Sequence, residues 1–184
     1  DSDLQTSIMV ADPMDNALVL DRTFTYNARN QLKTSTDFFG AVTSFTYDAR
    51  GNLLRRDLPT VGTQVCFDTF EYDLLNRLTK ETRNEGTTDA ISISYGYDAA
   101  GNRTSMTDAR GFIYTYIFDD SNRMIERHYP SIGAETFVEF WTYDDRGNVA
   151  TFTDCAGKVA TWTYDLKNRP LTETHVKSAV TLAN

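Results

Sequence analysis

Aromatic and aliphatic side chains recur at alternate positions along most of this chain, with Thr, Ser or charged residues between them, in short runs that end in Asp, Asn or Gly. The pairs Phe24 and Tyr26, Phe45 and Tyr47, Phe70 and Tyr72, Tyr95 and Tyr97, Tyr116 and Phe118, Trp141 and Tyr143, and Trp162 and Tyr164 each stand two residues apart. Two residues is the period of a strand, so both rings of a pair point to one face. Thr23, Ser44, Thr69, Ser94, Thr115, Phe140 and Thr161 precede the outer ring of each pair and fall on the other face. The pattern predicts a sheet with one aromatic face and one mostly hydroxylated face.

Each inner aromatic is an anchor for a turn. It is followed by Asn27, Asp48, Asp73, Asp98, Asp119, Asp144 or Asp165, and three residues later by Asn30, Gly51, Asn76, Gly101, Asn122, Gly147 or Asn168. Asn and Gly alternate strictly at that last position, and these are the residues that enter the left-handed backbone region cheaply. Asp at the turn entry hydrogen-bonds the backbone ahead of it, so each anchor predicts a strand end, a type I turn and a left-handed exit residue. Pairing across that turn sets the anchors opposite Leu32, Leu53, Leu78, Arg103, Met124, Val149 and Pro170. Extended at constant register, it sets the outer rings opposite Thr34, Arg55, Lys80, Ser105, Glu126, Thr151 and Thr172.

Steps between anchors are 21, 25, 25, 21, 25 and 21 residues, and the Asn-type anchors recur every 46 residues. The expected organisation is a single array over residues 1–184 of about eight hairpins, clear over 22–174, with degenerate end units at 1–21 and 175–184. A second turn motif, Thr-Asp-x-x-Gly, stands at Thr36 to Gly40, Thr107 to Gly111 and Thr153 to Gly157, and Thr174 to Ala179 replaces it at the end. Two strands per unit give about sixteen strands and a width of roughly 75 Å. Twist accumulates across so many strands, which predicts a curved or superhelical antiparallel sheet. Each anchor ring is expected to pack beside the equivalent ring of the next unit.

Composition agrees with an all-β chain: 12% of residues are aromatic and Pro is scarce. A net charge of −8 argues against nucleic acid and against anionic membrane surfaces as partners. No apolar run long enough to span a bilayer stands in the sequence, and no leader-like segment is read at its start. Cys66 and Cys155 are too few for a disulfide framework.

The segments Tyr97-Asp98-Ala99-Ala100-Gly101-Asn102-Arg103, Thr107-Asp108-Ala109-Arg110-Gly111 and Tyr72-Asp73-Leu74-Leu75-Asn76-Arg77-Leu78 resemble the tyrosine-aspartate (YD) or Rhs repeat family of bacterial polymorphic toxins, insecticidal toxin complex C components and teneurins. Phe118 in place of Tyr, Asn27 in place of Asp and the two ends depart from its pattern. The resemblance implies a wall segment of a hollow shell that encapsulates a toxin or effector region of a larger exported, secreted or cell-surface protein. Its partners would be neighbouring repeats of the same parent and the enclosed region, with self-association at sheet edges. The alternative is a cell-surface adhesion or carbohydrate-binding module, with glycan held on the aromatic face.

Chemistry is sparse. The recurring carboxylates fall singly at the anchor spacing, unlike calcium loops, so turn capping is the expectation and no metal or other cofactor is assigned. His128 and His175 occupy nearly equivalent repeat positions, which repetition explains better than catalysis, and no local nucleophile motif accompanies them. No catalytic residue is therefore assigned. Asn102-Arg103-Thr104 matches an N-glycosylation sequon, and Asp12-Pro13 reads as a turn.

Overall fold

A computed structural model of the protein describes residues 4–10, 20–60 and 62–175, with side chains from Arg22 onward. Asp12-Pro13 and much of the two expected end units lie outside the described residues. Contacts divide the chain into two compact units, Asp1–Ser94 and Tyr95–Asn184. The first holds β1 (Leu4–Val10), β2 (Leu20–Tyr26), β3 (Leu32–Thr36), β4 (Val42–Tyr47), β5 (Leu53–Asp57), β6 (Phe67–Tyr72), β7 (Leu78–Glu85) and the start of β8 (Ile91–Tyr97). The second holds the end of β8, then β9 (Arg103–Thr107), β10 (Ile113–Phe118), β11 (Met124–Ile132), β12 (Glu135–Tyr143), β13 (Val149–Thr153), β14 (Val159–Tyr164) and β15 (Pro170–His175).

Every described element is a strand, and within each unit the strands lie in sequence order, each antiparallel to the next. The chain is thus all-β and built of hairpins. Short connections with Asp or Asn at entry and Gly or Asn at exit turn most of the described strands back beside their predecessors, which makes the meander largely the outcome of the turn spacing.

Anchor register is as the turns dictate: Tyr26 faces Leu32, Tyr47 faces Leu53, Tyr72 faces Leu78, Phe118 faces Met124, Tyr143 faces Val149 and Tyr164 faces Pro170. One pair further the register slips by a residue in each of these hairpins. The outer aromatics Phe24, Phe45, Phe70, Tyr116, Trp141 and Trp162 consequently sit opposite Ser35, Arg56, Glu81, Arg127, Phe152 and Glu173, correcting the constant-register expectation. The cause is a β-bulge that inserts Lys33, Leu54, Thr79, Ile125, Ala150 or Leu171 into the returning strand and adds local twist.

The expected stacking of anchor on anchor is also corrected. Within each compact unit, anchors of successive hairpins lie on alternate strands, two strand spacings or about 10 Å apart, beyond ring-stacking range. The ring contacts fall elsewhere: Trp141 tilts against Phe152 at 5.1 Å and Tyr114 meets Tyr129 edge-on at 5.9 Å. Arg103, the exception among the apolar partner positions, lies over both Tyr95 (5.5 Å) and Tyr116 (5.6 Å).

There is little conventional core. Ala160, at 4% exposure, is the buried hydrophobic residue among those described, whereas Ser35, Asp68 and Glu81 are buried polar ones. Asp68 is 2% exposed and takes the Arg56 guanidinium on Oδ2 and the Asn84 amide on Oδ1. Arg127 and Glu139 form the same cross-strand pair on β11 and β12. The opposite face carries hydroxyl pairs between strands, Thr25 with Thr34 (2.6 Å), Thr82 with Ser92 (2.8 Å), Thr142 with Thr151 (2.7 Å) and Thr163 with Thr172 (2.6 Å).

Candidate functional site

The repeated turns carry the densest ordered chemistry of the chain. At Asp48 the backbone N–H of Gly51 donates to the Asp48 carbonyl at 3.2 Å, and the Asp48 N–H donates to the Asn52 carbonyl at 2.9 Å. Oδ1 of Asp48 then accepts the N–H groups of Arg50 and Asn52, both at 2.8 Å. The same arrangement recurs at Asp73, Asp119, Asp144 and Asp165, and Asn27 reproduces it with its amide oxygen. At Asp98 the Asn102 N–H donates to Oδ1 at 2.8 Å. A type I turn leaves forward-pointing amides at its centre, and a short acceptor side chain at entry satisfies them.

The exit positions are left-handed: φ is 59° at Asn30, 63° at Asn76, 61° at Asn122 and 60° at Asn168, and 98°, 96° and 86° at Gly51, Gly101 and Gly147. The Thr-Asp-x-x-Gly turns share the geometry, with Asp37, Asp108 and Asp154 at entry and Gly40, Gly111 and Gly157 at exit.

Alternation of Gly and Asn has a second cause beyond backbone freedom. After each Gly stands an Asn whose Nδ2 donates twice, to its own turn's Asp and to the Oδ1 of the next turn's exit Asn: Asn52 to Asp48 and Asn76, Asn102 to Asp98 and Asn122, Asn148 to Asp144 and Asn168. The exit Asn thus serves as a left-handed residue and as an acceptor. In three of the four Asn-type turns the following residue is Arg77, Arg123 or Arg169, whose Nε binds its own Asp at 2.7 Å. Further bonds cross between turns from Arg29 to the Ala49 carbonyl, Arg50 to Leu74, Arg146 to Asp165 and Gln31 to Gly51.

These donors hold the carboxyls below the ordinary aspartate range. The side chain of Asn102, Arg123 or Asn148 does most at Asp98, Asp119 and Asp144, and the amide of Arg77 or Arg169 does most at Asp73 and Asp165. At Asp48 desolvation pushes upward and is outweighed by the Asn52 side chain and the turn amides.

The anchor tyrosines join units in another way. Their hydroxyls donate to the carbonyl that follows the previous anchor turn, on the adjacent strand: Tyr47 to Leu32 (2.9 Å), Tyr143 to Met124 (2.7 Å) and Tyr164 to Val149 (3.0 Å). Burial pushes the Tyr47, Tyr72 and Tyr143 phenols up. Nothing in the sequence separates this role from packing except Phe118, the anchor without a hydroxyl.

Other candidate residues do not converge. His128 bonds Glu126 and His175 bonds Glu173, each at 2.7 Å. Their repeat positions differ by one residue, so the register sets Glu126 opposite Ile117 and Glu173 opposite the outer ring Trp162, on different faces. Cys66 and Cys155 are free thiols, and Cys66 lies 3.4 Å from Asn84 Oδ1. The sequon nitrogen of Asn102 is already donated to Asp98 and Asn122.

The model of the RHS Repeat family matches residues 26–60, 89–113, 97–131 and 143–180, together more than half of the chain. Among solved structures, the chain is similar to TcdB2-TccC3-TEV (TM-score 0.60, 12% identity, 89% of this chain and 11% of that one). It is similar also to TcdB2-TccC3-Cdc42 (TM-score 0.56, 13% identity, 84% and 10%) and to TcdB2-TccC3 without hypervariable C-terminal region (TM-score 0.56, 12% identity, 87% and 10%). At these identities the likeness is one of fold, and the chain spans about a tenth of the length of those structures. No curated protein matches it. With turns, anchors and matched segments falling on the same hairpins, this chain belongs to the RHS repeat family and has the role of a structural repeat.

Proposed function

We propose that the chain is a wall segment of an RHS-repeat shell that encloses a toxin or effector region of a longer, exported protein. The observation that carries this reading is where the cohesion lies. Side-chain bonds run from turn to turn along the strand ends, while Ala160 is the buried hydrophobic residue among those described. Such an array gains stability at each neighbour interface and extends without a central core, the property required of a wall and not of a closed globule. One of the similar structures is of an assembly without hypervariable C-terminal region, so a variable region attached to repeats of this fold is the analogy for the enclosed partner. Neighbouring repeats of the same parent would cover the strand edges. No helix among the described residues is long and apolar enough to cross a membrane.

The test is limited proteolysis of the full-length parent. The region beyond the repeats should resist protease while the array is intact and become sensitive when the β11–β12 hairpin is deleted. Equal digestion of that region in both proteins would sink the enclosure reading and leave the repeat assignment untouched.

A further inference from the structure

Ala160 is small where its counterparts in the repeat are large. Four residues before the Asn-type anchors stand Arg22, Asp68, Tyr114 and Ala160. Tyr114 meets Tyr129 edge to face at 5.9 Å. Tyr129 and His175 each stand eleven residues after their anchor, and His175 faces Ala160 across β14 and β15. A pair of rings in one hairpin is therefore a single ring in the hairpin 46 residues later, and the space is open. A cavity of about 310 Å³ is lined there by Ala160, Phe152, Trp162 and His175, at the lower end of small-molecule sites. Its walls are braced from behind, Phe152 by Trp141 at 5.1 Å and His175 by Glu173 at 2.7 Å.

A second group is missing from the same place. Asp154 and Lys158, at entry and exit of one turn, also line the cavity. Asp154 Oδ1 accepts the N–H groups of Ala156 and Lys158 at 2.9 and 2.8 Å. In the equivalent turn Asp108 Oδ2 takes the Arg110 guanidinium at 3.3 Å, but Ala156 stands at the position of Arg110. No described group donates to Asp154 Oδ2, and no described carboxylate pairs with the Lys158 ammonium. An anion would meet Asp154 and a cation Lys158, whereas a neutral hydroxyl donates to the first and accepts from the second. A ring carrying that hydroxyl fills the apolar part, as rings enter cavities left by absent side chains.

We propose that the Ala160 cavity is a binding site for a small neutral phenol, its ring in the place that Tyr114 fills in the earlier hairpin and its hydroxyl between Asp154 and Lys158. The site is independent of whether the array encloses anything.

The test is an amide chemical-shift titration of the chain by nuclear magnetic resonance with p-cresol, beside toluene, phenylacetate and benzylamine. Saturable shifts at Lys158, Ala160 and Trp162 are expected with p-cresol, in the millimolar range that so small a ligand allows. The other three should bind about fivefold more weakly or less, the scale of one lost hydrogen bond to a charged group. Asp154→Asn keeps the acceptor that the turn amides use, as Asn27 does in its own turn, and should weaken p-cresol about fivefold with the turn intact. Ala160→Tyr fills the cavity from within and should abolish binding, with circular dichroism showing that the sheet persists. Four results would overturn the proposal: no saturable p-cresol binding, toluene or either charged compound binding as tightly, affinity indifferent to Asp154→Asn, or undiminished binding in a folded Ala160→Tyr variant.

Discussion

Replacing Gly101 by Val isolates the left-handed turn exit from everything else. Gly101 has φ of +96°, and a Cβ built there meets no atom within 4 Å. Steric packing is therefore removed from the comparison, and the cost is that of holding a β-branched residue in the left-handed region, on the order of 1–2 kcal/mol. With a urea dependence of about 2 kcal/mol per M, that lowers the unfolding midpoint by roughly 0.5–1 M. Gly101→Asn provides the internal control, because Asn30, Asn76, Asn122 and Asn168 make the same exit at φ of 59°, 63°, 61° and 60°. It should cost clearly less than Val. Gly51→Val should cost more than Gly101→Val, since a Cβ at Gly51 meets Gln31 Nε2 at 3.2 Å. Urea denaturation followed by circular dichroism reads all three, with amide exchange at Asn102 as the local probe. A Val variant as stable as the parent, or an Asn variant as damaged as Val, would show that the exit conformation does not hold the hairpin.

Tyr143→Phe should lose about 1 kcal/mol, one neutral hydrogen bond to the Met124 carbonyl, and Tyr164→Phe a similar amount; unfolding of the double variant should be additive, because the bonds lie on separate strands. Asp68→Ala should cost about 2–3 kcal/mol, less than a fully buried pair because Arg56 is 41% exposed, and Asp68→Ala with Arg56→Met should recover part of it in the same melt. Because the folded carboxyls of Asp73, Asp98, Asp119, Asp144 and Asp165 are depressed, the turns keep their full contribution above the unfolded value of about 3.9 and lose it as pH falls through the lower folded values. Protection of the Arg77, Arg123 and Arg169 amides, taken relative to the intrinsic exchange rate at each pH, should therefore fall below about pH 4, and pH-independent protection down to pH 2 would contradict the network.

Much of the fold was legible because its determinants are local. Asp48 to Gly51 fixes a turn within four residues, and the turn fixes which residue faces Tyr47. One step beyond, legibility ended: the bulge residues Lys33, Leu54, Thr79, Ile125, Ala150 and Leu171 share no side-chain type, so no Gly or Pro marks them. A period-two pattern, extrapolated, then names the wrong partner for the outer rings Phe24, Phe45, Phe70, Tyr116, Trp141 and Trp162. The hydroxyl bonds of Tyr47, Tyr143 and Tyr164 were hidden for another reason, since a buried tyrosine packs by its ring whatever its hydroxyl does. The turn-to-turn bonds did leave a trace, in the residue after the exit position: Asn52, Asn102 and Asn148 in the Gly-type turns against Arg77, Arg123 and Arg169 in most of the Asn-type turns. That second alternation becomes readable only when the turns are known to stand side by side.

The two alternations together explain why the natural module is a pair of hairpins. A Gly-type turn offers a donor, the Nδ2 of Asn52, Asn102 or Asn148, and has no side chain at its exit to accept one. An Asn-type turn offers the acceptor and spends its following side chain on its own Asp, as Arg77, Arg123 and Arg169 do. Two Gly-type turns in succession would leave that inter-turn donation without its acceptor, and two Asn-type turns would leave the acceptor without its donor. Exchanging Gly101 and Asn102 for Asn and Arg would keep the left-handed exit and the bond to Asp98 yet remove the donation to Asn122. Protection from amide exchange should then fall at the Asp119 turn rather than at the Asp98 turn. A loss confined to Asp98 would mean that each turn is held by its own bonds and that the strict alternation has another cause.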